Sequence, residues 1–156
     1  DIQEEISKLC EGLVEKDLLR SHPSSAGARF FYETGSLGIR GMAQSGFALV
    51  CEGSLPFFET QKTDVGEEKA LKMTLLWLME RLDDSTLWSR GGVEGLRYVQ
   101  NKAHEILLHV KNEPESLDAC LRAFDEDLIA RHLSPGGSAD LLALTWLFAH
   151  LSKIVL

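Results

Sequence analysis

Several things are scarce in this 156-residue chain. Its three cysteines, Cys10, Cys51 and Cys120, are widely spaced and form no C-x-x-C motif, so no zinc or dithiol redox site is indicated. Small apolar roles in a reducing compartment, the cytoplasm, fit them better. No His pair has the i, i+4 spacing of a helical metal site, which leaves His104, His109 and His150 to structural or surface roles. The apolar run from Leu141 to Leu151 is too short and interrupted to span a bilayer, and no signal peptide is visible. Basic residues are outnumbered: 16 Lys and Arg against 24 Asp and Glu give a net charge of −8. That excess argues against nucleic acid or an acidic membrane as the main partner, without excluding a local basic pocket. Period-two alternation, a βαβ pattern, internal repeats and low-complexity tracts are all missing. The first residue is not Met, so the expectation is a processed chain or a fragment.

What is present is helical. Ile2, Ile6, Leu9 and Leu13 recur at helical spacing and predict an amphipathic helix to about Leu19, ended by a loop over Ser21–Ser25. A short helix follows over Ala26–Glu33. Gly38, Gly41 and Gly46 then crowd a stretch predicted to be kinked and tightly packed. Another element starts at Leu55-Pro56. Strong helices are expected over Glu67–Leu82 and Val93–Lys111, with a further one after Pro114 running to about Arg131. The last helix follows Pro135-Gly136-Gly137. It is apolar on nearly every side, which predicts burial all round. The expected fold is a single all-α domain over residues 1–156, a compact bundle of six to seven helices.

Two inter-helix loops collect polar groups. The first runs from Asp83 and Asp84 through Ser85, Thr86 and Arg90 to Gly91-Gly92. The second holds Arg131, His132, Ser134, Gly136, Gly137, Ser138 and Asp140. Adjacent carboxylates repel unless a positive charge or a capping role accounts for them. Mg²⁺ would supply that charge, and Asp84 as a helix cap would equally account for the pair. Arg90 and Arg131 suit bidentate phosphate binding or ion pairing. Ser134 or Ser138 can cap the last helix, and glycines before a helix start let phosphate oxygens meet unpaired N–H groups. Trp88 suits helix packing or stacking on a base.

Three segments in this order, Gly38-Ile39-Arg40-Gly41 through Phe47, Asp83-Asp84-Ser85-Thr86 through Gly92, and Leu133-Ser134-Pro135-Gly136-Gly137-Ser138-Ala139-Asp140, resemble the triphosphoribosyl-dephospho-CoA synthase family. The resemblance covers nearly all of this chain but only about the C-terminal half of the family's usual length. It departs at Met42, where Glu is usual, at Ser85-Thr86 for Thr-Asn, at Ser89 for His, and at His132 for Asn. It implies a transferase that joins ATP to 3′-dephospho-CoA with release of adenine, making the prosthetic-group precursor of citrate lyase or malonate decarboxylase acyl carrier proteins. Under it, Asp83 and Asp84 bind Mg²⁺, or one of them deprotonates the attacking hydroxyl. Arg40, Arg90, Ser134, Gly136, Gly137 and Ser138 bind phosphates, and Asp140 orients metal-bound water or the turn. The competing expectations are a non-catalytic nucleotide-binding fragment that awaits its missing half or pairs with a second copy, and a metal-dependent glycohydrolase acting on a ribosyl nucleotide.

Overall fold

A computed structural model describes residues 2–20 and 25–151. The described residues are almost wholly helical and contain no strand, as the sequence predicts. The elements are α1 (Ile2–Cys10), α2 (Leu13–Arg20), α3 (Ala26–Thr34), α4 (Gly38–Gln44), a π-helical segment (Leu49–Ser54), α5 (Leu55–Val65), α6 (Glu67–Arg81), α7 (Ser85–Asn112), a 3₁₀ turn (Pro114–Ser116), α8 (Leu117–Ala130) and α9 (Gly136–Leu151). None is long and apolar enough to cross a membrane.

The division is finer than the sequence reading. The expected first helix breaks at Glu11-Gly12 into α1 and α2. Leu9 and Leu13, expected on its inner face, are exposed, because α1 meets the rest of the chain through Gln3 and Ser7. The Ser7 hydroxyl donates to the Gln44 carbonyl at 3.0 Å. Of the predicted Ser21–Ser25 loop, all but Ser25 lies outside the described residues. Ser25 caps α3 by accepting from the Ala28 N–H.

Helix α6 is the hub. Met73, Leu76 and Met79 join the core formed with α7 and α8, around Val99, Ile106, Phe124 and Leu128. Leu78 and Leu82 face the other way, to Val50 and Leu141, and Ala70 packs with Phe58 and Ala149. A helix buried on two sides needs the wide apolar arc seen in its sequence.

Helix α9 corrects the expectation of burial all round. Only the stripe Gly137, Ser138, Leu141, Thr145 and Ala149 is buried, while Trp146, Leu147 and Leu151 are each exposed by 41–43%. The buried stripe is mostly small, which lets the π-helical segment approach closely. At that contact Thr145 Oγ1 donates to the Leu141 carbonyl, so the Ser54 hydroxyl, 2.6 Å away, is the donor between the two side chains. Both residues are fully buried and both hydroxyls are satisfied.

Candidate active site

The first polar loop is shorter than expected. Only residues 82–84 are non-helical, and Ser85 to Gly91 already belong to α7. Asp84 causes the early start. Its backbone is extended (φ −73°, ψ 109°), and its Oδ1 accepts from the Thr86 N–H at 2.9 Å and from the Leu87 N–H at 3.4 Å. That is an N-cap satisfying two otherwise orphaned donors. Gly92 does not end the helix but kinks it. At φ 63°, ψ −163° it takes a conformation open essentially to glycine alone.

The same carboxylate also receives the start of α9. Asp84 Oδ2 accepts the Ser138 N–H at 2.9 Å and the Ser138 hydroxyl at 3.1 Å. Asp84 is 1% exposed and Ser138 is fully buried. Thus one side chain terminates two helices, and its four acceptor directions each meet a donor. The capping role weighed for Ser138 is reversed, since its side chain donates to Asp84.

Gly136 and Gly137, expected ahead of the last helix, are its first two residues and make this approach possible. A Cβ at Gly137 would lie 3.1 Å from the Asp84 carboxyl carbon, and one at Gly136 would lie 3.2 Å from Thr86 Oγ1. From the first motif segment, a Cβ at Gly38 would lie 3.5 Å from the Ser85 Cβ. All three motif segments therefore meet around the first turn of α7.

The remaining sequence-predicted residues divide clearly. Asp83, Arg90 and Asp140 are exposed, while Ser134 and Gly136 are half-buried. Arg90 forms no ion pair or hydrogen bond with the described residues. Arg40 lies in α4, but its side chain falls outside the described residues. Trp88 packs edge-to-face on buried Phe30, with ring centroids 5.3 Å apart. Arg131 is engaged with Asp127 and lies over the Tyr98 ring. His104 and His109 sit at the surface near Glu80 and Glu113, and His150 stacks on Trp146. Among the described residues, no group of three or more His, Cys, Asp and Glu is placed to hold a metal ion.

Sequence reading missed Gln100. This buried amide donates to the Leu82 carbonyl at 3.1 Å and to Asp83 Oδ1 at 3.3 Å, and its oxygen accepts from Arg97 at 2.9 Å. It fixes the loop that carries Asp83. The available signal was a Gln between Leu96, Val99 and Ala103 on the inner face of α7.

His132 adopts a left-handed conformation (φ 56°) after α8. Its N–H bonds the Ile129 carbonyl at 3.0 Å, and the Leu133 N–H bonds the Leu128 carbonyl at 2.9 Å. This Schellman closure swings the chain back so that Leu133 packs into a notch on α7, where Cβ atoms at Gly91 and Gly95 would come within 2.5 and 3.0 Å of it.

Comparison with known proteins adds a second line of observation. The family model described as CitG, ATP:dephospho-CoA triphosphoribosyl transferase, matches residues 1–155. A probable 2-(5''-triphosphoribosyl)-3'-dephosphocoenzyme-A synthase of Albidiferax ferrireducens is 42% identical across 97% of this chain and 51% of its own length. The Klebsiella pneumoniae synthase of the same name is 42% identical across 92% of this chain and 48% of its own length. The probable synthase of Vibrio cholerae O1 El Tor is 41% identical across 98% and 50%. The chain spans about half the length of the curated relatives it matches. No solved structure matches.

Proposed function

The chain belongs to the ATP:dephospho-CoA triphosphoribosyl transferase family, and from that premise we propose that it carries the part of such an enzyme that receives ATP and 3′-dephospho-CoA. In the reaction, the bond from the ATP ribose to adenine breaks and a bond forms to the 2′-oxygen of dephospho-CoA. The hydroxyl loses its proton and adenine departs carrying one. The observation that carries this reading is the meeting of the three motif segments at the first turn of α7.

The residues divide by what remains free on them. Asp84 and Ser138 act as positioning residues, since each is buried and committed to the other. Four donors meet the Asp84 oxygens, which supports a positioning role for it in place of Mg²⁺ binding. The Ser138 N–H, bonded to Asp84, is likewise assigned to positioning and not to phosphate binding. Asp83 and Asp140 are exposed carboxylates, and Mg²⁺ commonly takes one or two carboxylates beside substrate phosphates. They would hold a Mg²⁺ that arrives with the triphosphate, where it would offset phosphate charge. Alternatively Asp140 holds the ion without Asp83, which is then the group that takes the proton from the attacking hydroxyl. Arg90, Ser134 and Gly136 would bind phosphates of the two substrates, and the resemblance adds Arg40 to them. Loss of the glycosidic bond builds positive charge on the sugar, which a carboxylate favours, while cations hold the triphosphate. The product would serve citrate lyase or malonate decarboxylase acyl carrier proteins. We place the reaction in the cytoplasm, where free thiols such as these three cysteines persist.

Adenine release from ATP tests the reading. Acceptor-dependent release, with mass added to dephospho-CoA, is the expected result. Release without acceptor would instead indicate hydrolysis. The length relation to the relatives favours one further reading, in which the chain turns over only beside additional polypeptide, either the rest of the relatives' length or a second copy. Release in neither case supports that one.

A further inference from the structure

A groove of about 440 Å³ lies between α6, α8 and the turn after α8. Its walls are apolar, with Met79, Phe124 and Leu133 in the floor and Ile129, 64% exposed, among its lining residues. Arg90, His132 and Ser134 also line it, together with one carboxylate, Asp125. These polar residues come from segments that meet at Leu133, which touches Gly91 beside Arg90. Two residues beyond Ser134, Gly136 reaches Thr86 at the first turn of α7. The groove therefore adjoins the proposed reaction site, and Arg90 is a cation without a partner among the described residues.

We infer that this groove seats the acceptor's thiol-ended pantetheine arm, with Arg90 on the diphosphate that joins the arm to the nucleoside. The inference rests on the function proposed above and adds the place of the acceptor. Three features select this occupant. The size falls within the range of small-molecule sites, roughly 300–1,000 Å³. The apolar walls suit a long, uncharged chain. The guanidinium, unpaired among the described residues, suits phosphate oxygens, which it can meet in bidentate fashion. A nucleotide without the arm would use the Arg90 end alone and leave the apolar walls empty.

Calorimetric titration of the full chain with dephospho-CoA, ADP and ATP tests this. ADP carries the same nucleotide and diphosphate without the arm. Dephospho-CoA is expected to bind at least about tenfold more tightly than ADP. Ile129→Asp, a change at an exposed position, and Leu121→Trp, which fills the groove, are each expected to abolish that preference while leaving ADP and ATP binding unchanged. Thermal melts of both variants establish that they are folded. Equal binding of dephospho-CoA and ADP, or a preference that survives Ile129→Asp in a folded protein, overturns the groove assignment and leaves the proposed function standing. Failure to bind either ATP or dephospho-CoA overturns both.

Discussion

Asp84 and Ser138 stand 54 positions apart in sequence, yet one oxygen of the first accepts both the backbone N–H and the hydroxyl of the second. The other oxygen holds the start of α7. The pair thus sets where two helices begin relative to each other, and it joins the second and third motif segments.

Replacing Asp84 by Ala is expected to destabilise the chain by about 2–4 kcal/mol, since two helix starts lose their acceptor and buried donors are left unpaired. Ser138→Ala keeps the N–H bond and should cost about 1 kcal/mol. Urea unfolding of both variants and the double variant measures this. If Asp84→Ala unfolds at the wild-type urea concentration, the clasp contributes nothing.

Asp83 should behave in the opposite way. It is exposed, so Asp83→Asn is expected to leave the urea midpoint unchanged while lowering adenine release at least about a hundredfold, the lower range for a lost general base. Gln100→Leu should fall between them. It frees the loop that carries Asp83 and leaves the Leu82 carbonyl without its amide, costing about 1–3 kcal/mol and reducing turnover. Wild-type turnover by Asp83→Asn would end its proposed role.

His132 offers a gain in stability. A non-glycine residue at φ 56° carries strain that Gly or Asn avoids. His132→Gly is expected to raise stability by about 0.5–1 kcal/mol, read as a higher melting temperature. A lower melting temperature would mean that the imidazole makes a contact worth more than the strain.

Tyr98, Asp127 and Arg131 form a surface cluster with a defined pH response. The Tyr98 hydroxyl, and then the Arg131 guanidinium, hold the Asp127 carboxyl below its usual range, while hydrogen bonding to Asp127 pushes the Tyr98 phenol up. For Asp127, the stabilisation is present above about pH 4 and is lost as pH falls through the depressed value. For Tyr98, it is present below about pH 10 and is lost as pH rises through the elevated value. In an ultraviolet titration, the tyrosinate step removed by Tyr98→Phe should lie above that of a free phenol. A step at or below the free value contradicts the hydrogen bond.

Helix content and the motif segments that meet at α7 were legible because period and motif are local properties. The capping of α7 by Asp84 could also be read locally, since Asp before an apolar helix is a familiar start. Its second partner could not, because nothing near Asp84 in sequence points to Ser138. Helix α9 was misread for a related reason. Apolar residues surround it, so periodicity alone could not say that the small stripe faces inward and Trp146 outward. Gln100 was legible as a polar residue on an apolar face, but its purpose needed the position of the Leu82 carbonyl.

Leu133 is seated directly against Gly91 and Gly95. Bulk added at position 91 must be met by a shift of the Leu133 side-chain end or by a smaller residue there. An alanine at position 91 asks for a shorter residue at 133, so these sites are expected to vary as a couple in any redesign. The spacing between Arg90 and Ser134 is inherited from that fit.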